Sequence, residues 1–407
     1  MDSKEIAALT IFVLSIIWMH FRVIIKKDAQ NKLSRICLLD AFALVIVLIG
    51  FFYPKTYSAL VEEDYIIEWM TFYAFALSGF IIAAHLWFSR EKGFKFFSSS
   101  CLIPMGVAIF CLFVAGEEAS WGQRIFAFKP PDLFLEQNYQ QELNVHNLLK
   151  GDGFWGIQIE SKHLVMLVAF VYGILFPLIT RFISPLKSLN KFAPDFYLMP
   201  YFLLVITMEE IFPISGTGEA CEMFLGTVFL IHVFDTYPVD KQETRRWNNL
   251  YKLSTLMVVI AILSIITPQL SSVIYGSDAE AESTLKGELQ LLQNDFLNPK
   301  ANKQKILRLR SVHKRVYTAV LQGYFHLPED SLYLEGKQTP ADPKDGDVRN
   351  DRKGYFLDPW NNPYWVYYYR KEKLVIFYSF GSNRKRDSDL ENDLNLQGDD
   401  VGVVFNV

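Results

Sequence analysis

Long apolar stretches alternate with short polar ones over the first two thirds of the chain, and the last third is mostly polar. A bilayer core takes about 20 apolar residues per helix, because the backbone must satisfy its own polar groups there. The pattern predicts eight transmembrane helices, near residues 6–25, 36–53, 66–88, 100–116, 163–183, 196–212, 219–236 and 251–273. The expected organisation is a multi-pass domain over 1–250 with seven helices, an eighth helix within 251–276, and a separate domain over 277–407.

The periodicity of the last domain predicts a mixture of helix and sheet. Apolar positions recur at helical spacing over 279–296 and 301–324, and Pro299 separates these two predicted helices. Two strand-like runs, Tyr364–Arg370 and Leu374–Ser379, flank a charged turn and predict a β-hairpin. The fold class expected overall is a polytopic α-helical membrane domain followed by an α+β domain with a long helix and a small antiparallel sheet.

The distribution of charge predicts an orientation. Most Lys and Arg residues of the membrane domain lie in the loops after the first, third, fifth and seventh predicted helices, and basic loops resist translocation. We therefore expect both termini and the C-terminal domain to lie outside the cytoplasm. A net charge of −4 gives no basic field for nucleic acid, and all 4 cysteines lie in or beside apolar segments, which argues against a disulfide framework.

Carboxylates gather at the predicted outer ends of the membrane helices. Ionisable groups at membrane depth are costly unless they are paired or hydrated, so they often mark functional sites. With an arginine and a histidine from the adjoining outer loop, the candidates are Glu117, Glu118, Arg124, His146, Glu209, Glu210, Glu219 and Glu222.

These side chains suggest a divalent metal site of the zinc type, because carboxylate and imidazole ligands occur here without cysteine. A metal-bound water would then support ester or amide hydrolysis close to the membrane. The alternative is structural: Glu117 or Glu118 pairs with Arg124, and the other carboxylates lie at the water interface. Single histidines inside predicted spans, such as His232, are more often packed and hydrogen-bonded than metal ligands.

Three motifs in the C-terminal part occur in a fixed order. They are Asp358-Pro-Trp-Asn-Asn-Pro-Tyr364, Tyr378-Ser-Phe-Gly-Ser382 and Gly398-Asp-Asp-Val401, preceded by an apolar helix with Pro268. Together they resemble the major pseudopilin of type II secretion systems. Leu250, Tyr251 and Thr255 stand where that family has a glycine, the first mature residue and a glutamate, so the resemblance implies a relative that is neither cleaved nor polymerised.

The resemblance also implies a calcium site in the loop between the last two motifs. The matching positions are Asn383, Asp399 and Asp400, with the carbonyl groups of Phe380 and Ser382. Hard oxygen ligands of this kind suit calcium, and the loop is rich in aspartate. The alternative is an acidic surface loop neutralised by the basic residues at 384–386.

Two functions are consistent with the sequence. In the first, a bacterial inner-membrane protein displays a pseudopilin-like domain for secretion-related assembly or recognition, with membrane lipids and envelope or secretion proteins as partners. In the second, the chain is a membrane-embedded metal-dependent hydrolase that uses the outer Glu and His residues. Convergence of those side chains on one point would favour the second function.

Overall fold

A computed structural model of the chain describes most of its 407 residues. The described residues are 17, 29–61, 66–89, 98–126, 128, 130, 131, 133, 134, 138, 142–145, 161–211, 217–237, 249–275, 279–334, 356–382, 386–390 and 393–407. The first predicted transmembrane helix lies outside this set except for Ile17. His146, Asn383 and the side chain of Glu210 also lie outside it.

The chain forms two compact units. The first, which we call the helical unit, comprises Met1–Ala119 and Ile159–Ile266. The second, the sheet unit, comprises Ser120–Gln158 and Thr267–Val407. The long loop after the fourth predicted membrane helix thus belongs to the same unit as the C-terminal domain.

The helical unit is almost entirely α-helical where it is described. Its helices are α1 (Ala29–Phe52), α2 (Pro54–Leu60), α3 (Ile66–Ser89), α4 (Ser99–Glu118), α6 (Ser161–Phe170), α7 (Phe176–Phe182), α8 (Met199–Ile211) and α9 (Thr217–Thr236). A π-helical turn, Val171–Leu175, joins α6 to α7, and 3-10 helices cover Ser184–Phe192 and Phe196–Leu198. Helix α10 (Asn249–Tyr275) begins in this unit and ends in the other.

Within the described residues, four helical segments are long and apolar enough to cross a membrane, and they indicate a membrane protein. They are Ile66–Phe88, Cys101–Glu118, His163–Phe182 and Thr217–Thr236. They coincide with four of the eight predicted transmembrane helices. Shorter apolar stretches, Phe196–Glu209 and Leu253–Thr267, lie within the sixth and eighth predictions, and α1 covers the second without being among the four.

Helices α3, α4 and α9 pack closely through small residues and aromatic rings. A side chain on Gly79 of α3 would lie 2.6 Å from Leu112 of α4, and one on Gly226 of α9 would lie 3.1 Å from Phe75. Phe75, Phe110 and Phe229 form mutual ring contacts at 5.5–6.0 Å between centroids. Small residues let helix backbones approach where apolar lipid gives no hydrophobic drive for association.

The sheet unit contains a four-stranded antiparallel sheet in the order β1-β2-β3-β4. The strands are β1 (Ser311–Arg315), β2 (Trp365–Tyr369), β3 (Leu374–Ser379) and β4 (Val401–Asn406). Its helices are α5 (Gln123–Phe126), α11 (Ala279–Leu297), α12 (Gln304–Leu307) and α13 (Val316–Leu321). The predicted hairpin is confirmed, since Trp365 lies opposite Tyr378 and Tyr369 opposite Leu374.

Helix α11 covers one face of the sheet. Its residues Leu285, Leu289, Leu292 and Phe296 recur on one side of the helix and have no exposed surface. The Phe296 ring contacts Phe377 of β3 and Phe405 of β4. Complete burial of each such side chain stabilises the unit by ~1.5–3 kcal/mol before the entropy cost of ordering.

The prediction of a continuous helix over 301–324 is wrong. Helices α12 and α13 lie at either end of this segment, but β1 occupies its middle and pairs with β2. Val312 and Val316 fit a helical period, yet tertiary pairing with β2 decides the conformation of the short apolar run between them. The predicted break at Pro299 is confirmed, because α11 ends at Leu297.

Candidate functional site

Three glutamates converge at one end of the helical unit. Glu68, Glu118 and Glu219 each place a carboxylate oxygen within 4.8 Å of the others. Glu68 and Glu118 are buried, and Glu219 is partly buried. Among the described residues this is the one group of three or more His, Cys, Asp or Glu side chains arranged so closely.

The helix directions explain the convergence. Glu68 lies in the first turn of α3, Glu118 is the last residue of α4, and Glu219 lies in the first turn of α9. Since α4 packs against α3 and ends where α3 begins, these helix termini meet at one end of the unit. The starts of α3 and α9 favour negative charge through their unpaired N–H groups, whereas the end of α4 does not.

The carboxylates cannot all be ionised at this spacing without compensation. Two unit charges 4.8 Å apart repel by ~3 kcal/mol at an effective dielectric constant near 20. The three pairs together would cost ~10 kcal/mol, which is comparable with the whole stability of a domain. A bound cation, shared protons or donor groups of the surrounding protein offset repulsion of this kind.

Further polar groups surround this carboxylate cluster. The carboxylate of Glu209, at the end of α8, lies beside Gly218, where an added Cβ would be 3.7 Å from its Oε1. Tyr57 of α2 is 1% exposed. The pKa of the Tyr57 hydroxyl is raised to about 12, mainly by burial and also by the nearby Cys221, Glu209 and Glu219. The Tyr57 hydroxyl therefore remains protonated at neutral pH.

The structure brings together some of the predicted residues and adds others. Glu118 and Glu219 are in the carboxylate cluster, and Glu209 lies beside its α9 side. Glu117 is buried next to Glu118 in sequence, and Glu222 is partly buried one turn after Glu219. The sequence analysis did not select Glu68. It could have done so, because Glu68 is also a carboxylate at the outer end of a predicted membrane helix, 66–88.

Arg124 belongs to a different site, a buried ion-pair network within the sheet unit. Arg124 Nη2 lies 3.0 Å from Glu142 Oε2, and Arg315 Nη2 lies 3.2 Å from Glu142 Oε1. All three side chains are less than 10% exposed. Glu142 thus links the loop that follows α4 to the first strand of the sheet, a connection that no sequence pattern indicated.

A left-handed turn positions the loop side of this network. Ser120, Trp121 and Gly122 have φ values of 44°, 52° and 90°, a conformation that is unusual for residues other than glycine. The turn directs Ser120 Oγ to donate to Glu142 Oε2 at 3.1 Å, and Gln123 Oε1 accepts from the Leu143 N–H at 2.7 Å. Backbone strain of this sort persists only where surrounding contacts fix it.

Electrostatics keep Glu142 ionised. Burial alone would raise the pKa of this carboxyl, but the guanidinium groups of Arg124 and Arg315 and the hydrogen bonds from Arg124 and Ser120 lower it to about 2. Asn144 Nδ2 also donates to Glu142 Oε2 at 2.8 Å. Both carboxylate oxygens of Glu142 therefore accept hydrogen bonds from protein groups, and the network has a structural role: it connects the loop after α4 to β1.

Two of the three C-terminal motifs, 358–364 and 378–382, join through hydrogen bonds. Asp358 is fully buried and accepts from the backbone N–H groups of Trp360 and Asn362 at 2.9 and 2.8 Å. The Ser379 hydroxyl donates to the same carboxylate. Gly381 has φ 68°, and a Cβ there would lie 2.2 Å from the carbonyl oxygen of Asp399, so the second motif requires glycine.

Two of the calcium candidates, Asp399 and Asp400, belong to the third motif and lie directly before β4. Ser382 Oγ donates to Asp399 Oδ2 at 3.0 Å, and Asp400 Oδ2 accepts from the N–H groups of Asp387 and Ser388 at 3.1 and 2.8 Å. Burial raises the pKa of Asp400 to about 6. Phe380 stacks on Trp365 with 5.2 Å between ring centroids.

His232 behaves as predicted for a packed histidine. Its Nε2 lies 2.9 Å from Tyr172 Oη, and its Nδ1 lies 3.2 Å from Thr236 Oγ1. Tyr172 in turn donates to the carbonyl group of Phe192 at 3.2 Å. Both ring nitrogens are thus used in hydrogen bonds within α9 and its neighbours.

Comparison of the chain with protein-family models, with curated proteins and with solved structures finds no match in any of the three. The class of the protein therefore rests on its own residues. Its long apolar helices indicate a membrane protein, and a small antiparallel sheet with one covering helix follows them.

Proposed function

We propose that this chain is an integral membrane protein that binds a hard divalent cation at Glu68, Glu118 and Glu219. The convergence of three carboxylates from three different helices supports the proposal. A divalent cation offsets their mutual repulsion and accepts oxygen ligands, and carboxylate oxygens favour magnesium, manganese or calcium over a thiolate-binding metal. This ligand set modifies the zinc-type site expected from the sequence, because the structure adds Glu68 and does not describe His146.

The chemistry that suits such a site is hydrolysis of a membrane-proximal substrate. A bound cation would polarise a carbonyl or phosphoryl oxygen and activate water. In this proposal the protonated hydroxyl of Tyr57 and the carboxylate of Glu209, which lies beside Gly218, assist in substrate binding or proton transfer. The residues proposed for cation binding remain Glu68, Glu118 and Glu219.

Cation binding by the purified full-length protein tests the proposal. Titration calorimetry with Mg²⁺, Mn²⁺, Ca²⁺ and Zn²⁺ should give near-stoichiometric binding of at least one oxygen-preferring cation. Glu68→Gln and Glu118→Gln should each abolish it, whereas Glu329→Gln, a change at an exposed glutamate, should leave it intact. Absence of binding in the unaltered protein, or equal loss in the Glu329 variant, would contradict the proposal.

A second role, display of a pseudopilin-like domain outside the cytoplasm, is supported by the sheet unit. Residues 120–158 and 267–407 belong to one compact unit. In this proposal they lie on the same side of the membrane, which requires an even number of crossings between them. The candidate spans between them, two long and two short, are compatible with that requirement. In this proposal the domain serves recognition or assembly with envelope or secretion proteins, with calcium bound near Asp399 and Asp400.

Surface labelling tests the orientation. A Lys371→Cys variant in a Cys37→Ser background places a thiol at an exposed position of the sheet unit, and the three remaining native cysteines are buried. A membrane-impermeant maleimide should label it in cells with a permeabilised outer envelope but intact inner membrane. Labelling only after the inner membrane is lysed would refute the extracytoplasmic location.

A further inference from the structure

The second half of helix α1 carries an exposed apolar stripe. Its members recur at helical spacing and are Leu44, Val45, Leu48, Phe52 and, directly after the helix, Tyr53. Phe52 is 72% exposed and Tyr53 is 66% exposed. At 1.5 Å per residue the stripe extends over about 14 Å of the second predicted transmembrane helix. An apolar surface of this kind marks a contact with hydrocarbon.

The stripe ends in a pocket, which we call the α1 pocket. It is a partly open cavity of about 460 Å³, lined by Leu48, Ile49, Phe52 and Tyr53. Binding sites for small molecules typically have volumes of about 300–1,000 Å³. The lining is apolar except for the Tyr53 hydroxyl, so the α1 pocket suits a hydrocarbon chain better than a polar ligand.

The opposite face of α1 is fixed against the rest of the helical unit. Ile46 is buried, and the Phe42 ring stacks on Phe224 of α9 with 6.1 Å between ring centroids. Tyr201 Oη of α8 donates to Asp40 Oδ1 at 2.8 Å. The α1 pocket therefore lies on a helix whose position is set by packing and hydrogen bonding.

The α1 pocket lies at the same end of the helical unit as the carboxylate cluster. Helix α2 connects the end of α1 to the start of α3, where Glu68 lies. The Tyr57 N–H of α2 donates to the carbonyl of Tyr53 at 2.9 Å, so these residues are one helical turn, ~6 Å, apart. The charges of Glu209 and Glu219 act on the Tyr57 hydroxyl. Tyr57 thus connects the wall of the α1 pocket to the surroundings of the carboxylate cluster.

Together the two sites match an amphipathic molecule. The carboxylate cluster lies at the ends of apolar helices, where the headgroups of a bilayer lie, and the stripe runs from that end towards the middle of the predicted span. A hard cation held by carboxylates also accepts phosphate oxygens. Without a cation, the acidic side chains would repel an anionic headgroup.

We propose that the substrate of the carboxylate cluster is a phospholipid. Its phosphate group binds the cation, and one acyl chain occupies the α1 pocket and follows the stripe. This inference rests on the cation site proposed above. It requires that phospholipid binding depend on both the cation and the α1 pocket, whereas cation binding depends on the carboxylates alone.

Phospholipid binding by the full-length protein in detergent tests this inference. Dioleoyl phosphatidylglycerol should bind in the presence of the cation identified by calorimetry and at least about tenfold more weakly in chelator. Leu48→Trp, which fills the α1 pocket, should weaken lipid binding by about tenfold, the loss expected when roughly two methylene groups lose their apolar contact. The cation affinity of this variant should be unchanged, which also shows that it is folded.

A second variant and two matched controls separate the α1 pocket from general effects on the apolar surface. Phe52→Ala removes one wall of the pocket and should also weaken lipid binding. Leu167→Trp on α6 and Phe80→Ala on α3 change exposed apolar residues elsewhere and should bind the lipid normally.

The outcomes distinguish this inference from the proposed function. Equal lipid binding in cation and in chelator, or equal losses in Leu48→Trp and Leu167→Trp, would overturn the phospholipid assignment while leaving the cation site in place. Absence of cation binding in the unaltered protein would instead refute the proposed function, and this inference with it.

Discussion

Replacement of Glu142 by glutamine should destabilise the sheet unit severely. The variant keeps the shape of the side chain but leaves the guanidinium groups of Arg124 and Arg315 buried without a countercharge. Breaking one partner of a buried ion pair typically costs ~3–5 kcal/mol. The fall in the pKa of Glu142 from its ordinary value of 4.5 to about 2 corresponds to a similar ~3 kcal/mol.

The acid dependence of this contribution has a defined sign. Because the folded-state pKa of Glu142 is lower than the unfolded one, the stabilisation is complete above pH 4.5 and is lost as the pH falls towards 2. At neutral pH the full effect of Glu142→Gln should appear. For a unit of this size, ~3 kcal/mol corresponds to a fall in Tm of about 6–12 °C.

The fall in Tm is measured by heating the full chain in detergent and using protease cleavage within residues 267–407 as the signal for unfolding of the sheet unit. An exposed ion pair in the same unit, between Lys300 and Asp330 at 2.8 Å, provides the matched control, and Lys300→Gln should produce no measurable shift. The double variant Glu142→Gln/Arg315→Gln should be less destabilised than the sum of the single variants. Equal shifts for Glu142→Gln and Lys300→Gln would refute the buried network.

Three further predictions concern the sheet unit. Asp358→Asn should lower its stability by ~3 kcal/mol in denaturant unfolding, because a buried carboxylate that accepts several hydrogen bonds is replaced by an amide; an unchanged midpoint would contradict that role. In chelator, Asp400→Asn should raise Tm at pH 8 and not at pH 4, since a pKa raised to about 6 means that ionisation destabilises the folded state, and in calcium the variant should lose any calcium-induced gain. Burial, with a contribution from Arg386, lowers the pKa of His313 to about 3, so stability should fall as the pH drops below 6.5, and His313→Gln should flatten that fall.

The buried network also affects how the C-terminal part should be studied. Arg315 of β1 is neutralised by Glu142, which lies outside residues 277–407. An isolated C-terminal fragment would lose this partner and the hydrogen bonds around it. Tests of calcium binding at Asp399 and Asp400 are therefore best made on the full chain, with the Asp399→Ala/Asp400→Ala variant as the negative control.

The relation between sequence and structure differs between the two parts of the chain. Long apolar windows predicted helices well, because burial of backbone polar groups in an apolar segment requires local hydrogen bonding. The hairpin of β2 and β3 could also be predicted from the sequence, since the strand-like runs and the charged turn between them are local signals. Strand β1 could not be predicted in this way, because its five residues carry no local signal stronger than their apparent helical period.

The sequence by itself determined the apolar helices, the polar C-terminal domain and the set of acidic residues from which a site could be built. Only the tertiary structure decided that Glu68 joins Glu118 and Glu219, since three helix ends meet there. It also decided that Arg124 and Arg315 both pair with Glu142, although Glu142 and Arg315 lie 173 residues apart in the sequence. Periodicity records which face of an element is buried, but which buried faces and charges meet depends on packing between distant segments.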